Sequence, residues 1–151
     1  MNERSQTSQS VSVTLAIIHQ NGKYLMQLRD NIPTIAYPGV WGLFGGHLEP
    51  GETPEAGLKR ELVEEINYQV QQLKELGCYV EPNISRHLFS CPLIISIDEL
   101  ELNEGWDLGL LTLAEIEHGY GYSHKAKESR PIGEIHRKIL LDFIASDPAN
   151  I

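Results

Sequence analysis

Cysteine is scarce. Cys78 and Cys91 are the only two, and they do not form a C-x-x-C pair. That leaves no disulfide framework and no thiolate zinc site, and the plain expectation is two buried free thiols in a reducing compartment. Aromatic residues make up only 7% of the chain, and no apolar run approaches the ~18 residues that a membrane-spanning helix needs. Positive charge is also short, with 12 Lys and Arg against 21 Asp and Glu, a formal net charge of −9. So acidic a chain lacks the basic footprint of a duplex nucleic-acid binder and the charge to dock on anionic lipid. It still admits a small anionic substrate, because a few cations or a bound metal can reverse the field inside one pocket. The first ten residues, MNERSQTSQS, have no apolar stretch of the signal-peptide kind and read as a disordered tail. Residues 11–151 then form a single domain, and these absences together imply a cytoplasmic location.

What is present is a mixture of strand and helix signals without repeats or low-complexity tracts. Val11 to His19 is rich in β-branched residues, and Asn21-Gly22 is a strong hairpin signal before the returning strand Lys23 to Arg29. Asp30 to Val40, with two prolines and a glycine, reads as a loop, and Trp41 to Leu48 as a short, glycine-broken strand. Thr53 suits a helix N-cap and Pro54 the first helical position, so a helix should run to about Ile66, with Asn67 as its left-handed cap. Further strands are expected within Tyr68 to Val80, in Ser85 to Ile97 (where Pro92 marks a bulge or an edge) and in Leu108 to Leu113. Leu113 to Glu117 is expected as a turn of helix, His118 to Arg130 as a loop, and Pro131 to Ala145 as a helix with apolar residues at Ile132, Ile135, Ile139, Leu140 and Phe143. Interleaved strands and helices with an early tight turn predict an α/β fold, a mixed sheet with helices on its faces.

The segment Gly46 to Tyr68 carries the chemistry. At about 100° per residue, Leu58, Leu62 and Ile66 make one apolar stripe, widened by Ala56 and Val63. Glu61, Glu64 and Glu65 fall together on one flank, with Glu65 at the border of the stripe and so partly desolvated. Lys59 and Arg60 project on the far side, leaving three carboxylates to repel one another. Oxygen ligands without cysteine suit Mg²⁺ or Mn²⁺ over zinc. Taken alone, the helix fits a solvated acidic face better than a metal site, because surface glutamate clusters are common. Gly42, Gly45 and Gly46 just upstream change that reading, because they let the backbone approach a ligand closely.

In this spacing the segment resembles the Nudix box. That pattern is Gly, five residues, Glu, seven residues, Arg-Glu, an aliphatic residue, any residue, Glu-Glu, any residue, Gly, and a bulky or aliphatic residue. Gly46, Glu52, Arg60, Glu61, Leu62, Glu64 and Glu65 all match. Asn67 replaces the final glycine, and Tyr68 stands where an aliphatic residue is usual. Outside the box, Val11 to Arg29 is similar to the family's opening hairpin, and Glu104-Gly105 resembles a downstream loop that supplies another acidic ligand in some members.

The resemblance implies an α/β/α sandwich and a metal-dependent hydrolase that cleaves a phosphoanhydride in a nucleoside diphosphate linked to another moiety. The candidate substrates are nucleoside triphosphates, modified nucleotides, and NDP-sugars or ADP-ribose-type compounds. It also implies roles. Glu61 and Glu65 would bind metal, Glu64 would bind metal or activate water, the carbonyl of Gly45 would complete the shell, and Glu104 is a further ligand or base. Glu52 and Arg60 would pair to hold the loop to the helix. Arg29 and Trp106 are candidates for substrate binding. Trp41 is read as core, His47 as a turn histidine and His87 as structural, while His118, His124 and His136 have no ligand spacing. A homodimer is compatible with this reading. The competing class is a Nudix-like domain that senses a nucleotide without cleaving it, although such domains usually lose box carboxylates.

Overall fold

The computed structural model describes residues 10–146. The expected polar tail therefore lies outside the described residues, apart from Ser10. β1 (Val11–Gln20) turns through Asn21 and Gly22, both at positive φ (53° and 76°), into β2 (Lys23–Leu28). The two strands pair only near the turn, from Ile18↔Leu25 to Gln20↔Lys23, and then splay apart. The glycine strand fills the gap. Its first piece, β3 (Trp41–Gly42), pairs with the end of β2, and its second, β4 (Phe44–His47), pairs with the start of β1.

β6 (Ile84–Pro92) runs parallel to β1, and β5 (Lys74–Glu81) lies antiparallel outside it with a bulge between Glu75 and Gly77. β7 (Asp107–Thr112) lies antiparallel outside β2. The sheet is thus mixed, and helices cover both faces. Along β1 the side chains alternate. Ala16 and Ile18 join Phe44 and Phe89 under α1 (Pro54–Ile66), while Leu15 and Ile17 join Trp41, Leu88 and Leu111 under α3 (Glu134–Ser146) and α2 (Leu113–His118). Burial on both faces is why β1 reads as a nearly continuous apolar run.

The stripe on α1 is Leu58, Leu62 and Ile66, each fully buried and each stabilising by about 1.5–3 kcal/mol. Gly57 completes it, against the side chain of Leu48. Ala56 and Val63, expected to widen the stripe, are exposed, because the sheet meets only the Gly57 side of the helix. Cys91 is buried as expected. Cys78 is exposed, because it lies on the outer strand β5, and both thiols are free.

Other expectations shift in detail. The strand placed within Tyr68–Val80 begins only at Lys74, and the one placed over Ser85–Ile97 ends at Pro92, with a 3₁₀ turn at Ile97–Glu99. The expected loop His118–Arg130 contains a hairpin, β8 (Tyr120–Ser123) with β9 (Glu128–Pro131). Gly121 seats it against Trp41 and Leu111, and the Trp41 indole N–H donates to the Gly121 carbonyl at 2.9 Å. Asp107 holds the same hairpin by accepting from Ser123 Oγ at 2.7 Å, while its other oxygen accepts the Leu108 N–H. Glu115 accepts the Thr112 N–H at 2.9 Å.

Candidate active site

Helix α1 sets three carboxylates at three depths. Thr53 Oγ1 accepts the Ala56 N–H and starts the helix. Asn67, at φ 54°, ends it, and the N–H groups of Asn67 and Tyr68 satisfy the carbonyls of Val63 and Leu62. Between these caps Glu65 is buried at 6% exposure, the Glu61 side chain is 16% exposed and the Glu64 side chain 54%.

The glycine strand makes the depth tolerable. The Gly45 N–H donates to Glu65 Oε1 at 3.2 Å. A Cβ at Gly46 would come within 2.5 Å of Glu61 Oε2, and one at Gly45 within 1.9 Å of the Thr14 carbonyl oxygen. Gly45 also sits at φ 148°, which side-chain-bearing residues rarely adopt. The two glycines therefore allow strand and acidic helix to touch.

A third element completes the cluster. Asn103 bridges to the end of α1, with its N–H on the Glu65 carbonyl at 2.9 Å and its side-chain amide on the Glu64 carbonyl at 3.0 Å. Gln27 Nε2 holds the Glu104 carbonyl at 2.9 Å. These anchors bring Glu104 close enough for its charge to act on both Glu61 and Glu65. Neither Asn103 nor Gln27 was a sequence candidate, since no spacing signal marks a contact that exists only after folding.

Desolvation, followed by the charges of Glu61 and Glu104, pushes the Glu65 carboxyl up to about 8. Glu61 is also raised, mainly by burial, with Arg60 opposing the shift. Glu52 is held down to about 2, first by its hydrogen bond from Arg60.

Arg60 departs from its expected place on the far side of the helix. Its Nε and Nη2 clasp Glu52 at 2.6 and 2.9 Å, as the expected Glu52–Arg60 pair requires. Its Nη1, however, reaches Glu61 at 3.2 Å and Glu64 at 3.3 Å, and Nη2 also holds the His47 carbonyl. A helical projection places a residue by its Cβ, whereas the long guanidinium stem curls back into the carboxylates. Among the described residues no three acidic, His or Cys side chains are already spaced to hold a metal ion. Oxygen-rich donors nevertheless suit a hard divalent cation, and a buried carboxylate with two like-charged neighbours is the state such an ion would relieve. Glu64 is exposed enough to turn toward it.

Arg29 and Trp106 lie together at the end of β2, since the Trp106 N–H donates to the Leu28 carbonyl at 2.8 Å. Arg29 Nε is tied to the Ala36 carbonyl at 2.7 Å. Arg130 lies over the Trp106 ring, 6.0 Å from its centroid, so one face of that indole already has a cation on it. Trp41 is core, at 1% exposure.

A family model for the NUDIX domain matches residues 9–124. The chain belongs to the Nudix family. This Nudix domain is 38% identical over 60 residues to a nucleoside triphosphatase, NudI, of Enterobacter sp. (strain 638), covering 40% of the chain and 42% of that relative. It is 29% identical over 75 residues to a putative 8-oxo-dGTP diphosphatase of Bacillus subtilis, covering 48% and 46%. The matches thus span less than half the length of these curated relatives. The MutT fold of Aliivibrio salmonicida and Vibrio cholerae superposes with a TM-score of 0.69 at 18% identity, over 91% of this chain and 99% of that one. MutT of Burkholderia pseudomallei superposes with a TM-score of 0.67 at 20% identity, over 89% and 98%. At such identities these structures establish the α/β/α sandwich and its mixed sheet. Among the described residues no helix is long and apolar enough to cross a membrane.

Proposed function

We propose that this Nudix domain is a divalent-metal-dependent hydrolase that opens a phosphoanhydride in a nucleoside diphosphate derivative, with nucleoside triphosphates or their modified forms as the favoured class. The observation that carries the reading is the buried Glu65, hydrogen-bonded to the Gly45 N–H and crowded by Glu61 and Glu104. The names of the NudI and 8-oxo-dGTP diphosphatase relatives support the substrate class.

In this reading Glu61, Glu64 and Glu65, with Glu104 and the carbonyl of Gly45, hold Mg²⁺ or Mn²⁺. Bound there, the metal supplies charge neutralisation on the phosphoryl oxygens and a lowered pKa for water. Hydrolysis forms a bond from water oxygen to phosphorus and breaks the anhydride P–O bond, with the electron pair leaving on the departing phosphate. Glu64, Glu65 or Glu104 accepts the water proton. Arg60 keeps the loop and helix in register through Glu52 and the His47 carbonyl. Arg29 offers its guanidinium to a phosphate, and Trp106 an apolar surface to the nucleoside.

The test is release of phosphate or pyrophosphate from a nucleotide panel, with Mg²⁺ and with excess chelator. Turnover is expected only with metal. Glu61→Gln, Glu64→Gln and Glu65→Gln are each expected to lower kcat by about 10²-fold or more where the group binds metal or takes the proton. Full turnover in chelator, or wild-type rates in all three variants, would show that the acidic face is only solvated surface.

A further inference from the structure

The outer margin of β7 forms a cleft of about 610 Å³. Its floor is the edge of the strand, where Leu108 and Leu110 are half-buried. On the α1 face the wall is the stretch Ile97 to Leu102, whose Ile97 and Leu100 pack with Leu108 and Leu110 against the core on that side. Ile97, Leu100 and Leu102 are likewise half-buried. On the opposite face the wall is the β8–β9 hairpin, seated there through Gly121 on Trp41 and Leu111. Tyr122, 46% exposed, and Lys125 line that side. A contiguous apolar margin with polar residues on its rim marks an interaction surface.

The margin says what kind of partner fits. The Leu108 and Thr112 N–H groups are spent on Asp107 and Glu115, so the edge offers side chains more than a ladder for another strand. The two walls differ in sign. Asp98 lies on the α1-side wall and Lys125 on the hairpin wall, both exposed and both without an ion pair among the described residues. Glu99 and Glu101 extend the acidic wall, and Lys127 extends the basic one. A surface with opposite charges on its two walls is complementary to itself under the right symmetry. A two-fold axis normal to the sheet would set acid against acid. A two-fold axis parallel to β7 exchanges the faces of the sheet, so the acidic wall of each copy meets the basic wall of the other, twice.

We propose that the β7 margin docks a second copy of this chain, in a two-fold dimer whose axis runs along β7. Asp98 of each copy faces Lys125 of the other, with the half-buried leucines between the copies. The apolar contact supplies the affinity, and the exposed charge pairs set the orientation.

Sedimentation equilibrium at low ionic strength tests this. Reductant keeps the exposed Cys78 from linking copies. The wild-type chain is expected to dimerise reversibly, and less tightly as salt rises. Asp98→Lys and Lys125→Glu, both at exposed positions, each set like charges together at both contacts. Each is expected to weaken the dimer about tenfold or more. An equimolar mixture of the two variants pairs Lys with Glu at one contact and Asp with Lys at the other. The mixture should therefore dimerise within a few-fold of wild type, as should the doubly substituted chain. A wild-type chain that sediments as a monomer at about 1 mM, where even a weak association shows, would overturn the dimer. Single variants that dimerise like wild type, or a mixture no tighter than its components, would overturn this interface. Association is read without substrate or metal, so its failure leaves the hydrolase reading untouched.

Discussion

Glu65 is a carboxylate that folding makes expensive to ionise. Its carboxyl is raised from the ordinary 4.5 to about 8 when no metal neutralises it. An acid whose folded pKa is raised binds protons more tightly in the native state, so its ionisation erodes stability as pH rises from about 4.5 to about 8. Glu65→Gln removes that loss and keeps an acceptor for the Gly45 N–H. In chelator the variant should match wild type near pH 4 and exceed it by a few kcal/mol above pH 8, at about 1.4 kcal/mol per pKa unit. Denaturant titrations at the two pH values check this, and equal stability at pH 8.5 would show that Glu65 carries no such load. The carboxylates were legible because i, i+3 and i, i+4 spacing fixes a shared flank. Arg60's reach into them was not, because a long side chain is not confined to the flank of its Cβ. Asn103, Gln27 and His136 were silent because their partners, Glu64, Glu104 and Leu43, are far along the chain.

At the scale of elements, α1 and the glycine strand act as one unit. The helix was legible from Thr53 to Asn67 because caps and apolar stripe agree, and Asn67 does take the left-handed conformation. Asn67→Gly should therefore be neutral or stabilising by at most about 1 kcal/mol. Asn67→Val should destabilise, since a β-branched residue resists positive φ. Thermal melts that place the two variants together would refute the cap. Gly45→Ala is the sharper change, since its Cβ would overlap the Thr14 carbonyl. It should cost several kcal/mol or part β4 from β1, seen as lost amide protection over Val13–Ala16. The β8–β9 hairpin was hidden for a tertiary reason. Gly121 and Ser123 look like loop breakers in sequence, and only Trp41, Leu111 and Asp107 show them to be packing sites.

For the whole molecule, metal binding and folding should be linked. A ligand that binds only the native state stabilises by about 2.7 kcal/mol at one hundred times its Kd. Mg²⁺ should raise Tm, and more at pH 8 than at pH 5.5, because at the lower pH a proton competes for Glu65. Scanning calorimetry at both pH values checks this, and a pH-independent shift would place the ion elsewhere. A mixed sheet with helices on its faces was readable from the interleaved elements and the early tight turn, and the α/β/α sandwich from the resemblance that the box carries. The wedging of the glycine strand between splayed β1 and β2 was not, because strand order is decided by which edges remain open after the first hairpin closes.

Those open edges set how the molecule keeps company. β7 ends the sheet on one side with two of its N–H groups already given to Asp107 and Glu115. β5 ends it on the other, broken by a bulge and bearing Lys74, Glu75 and Glu81. The bulge and charges on β5, and the two spent N–H groups on β7, weigh against a passing strand continuing either margin. Zippering edge to edge into fibres should therefore be disfavoured.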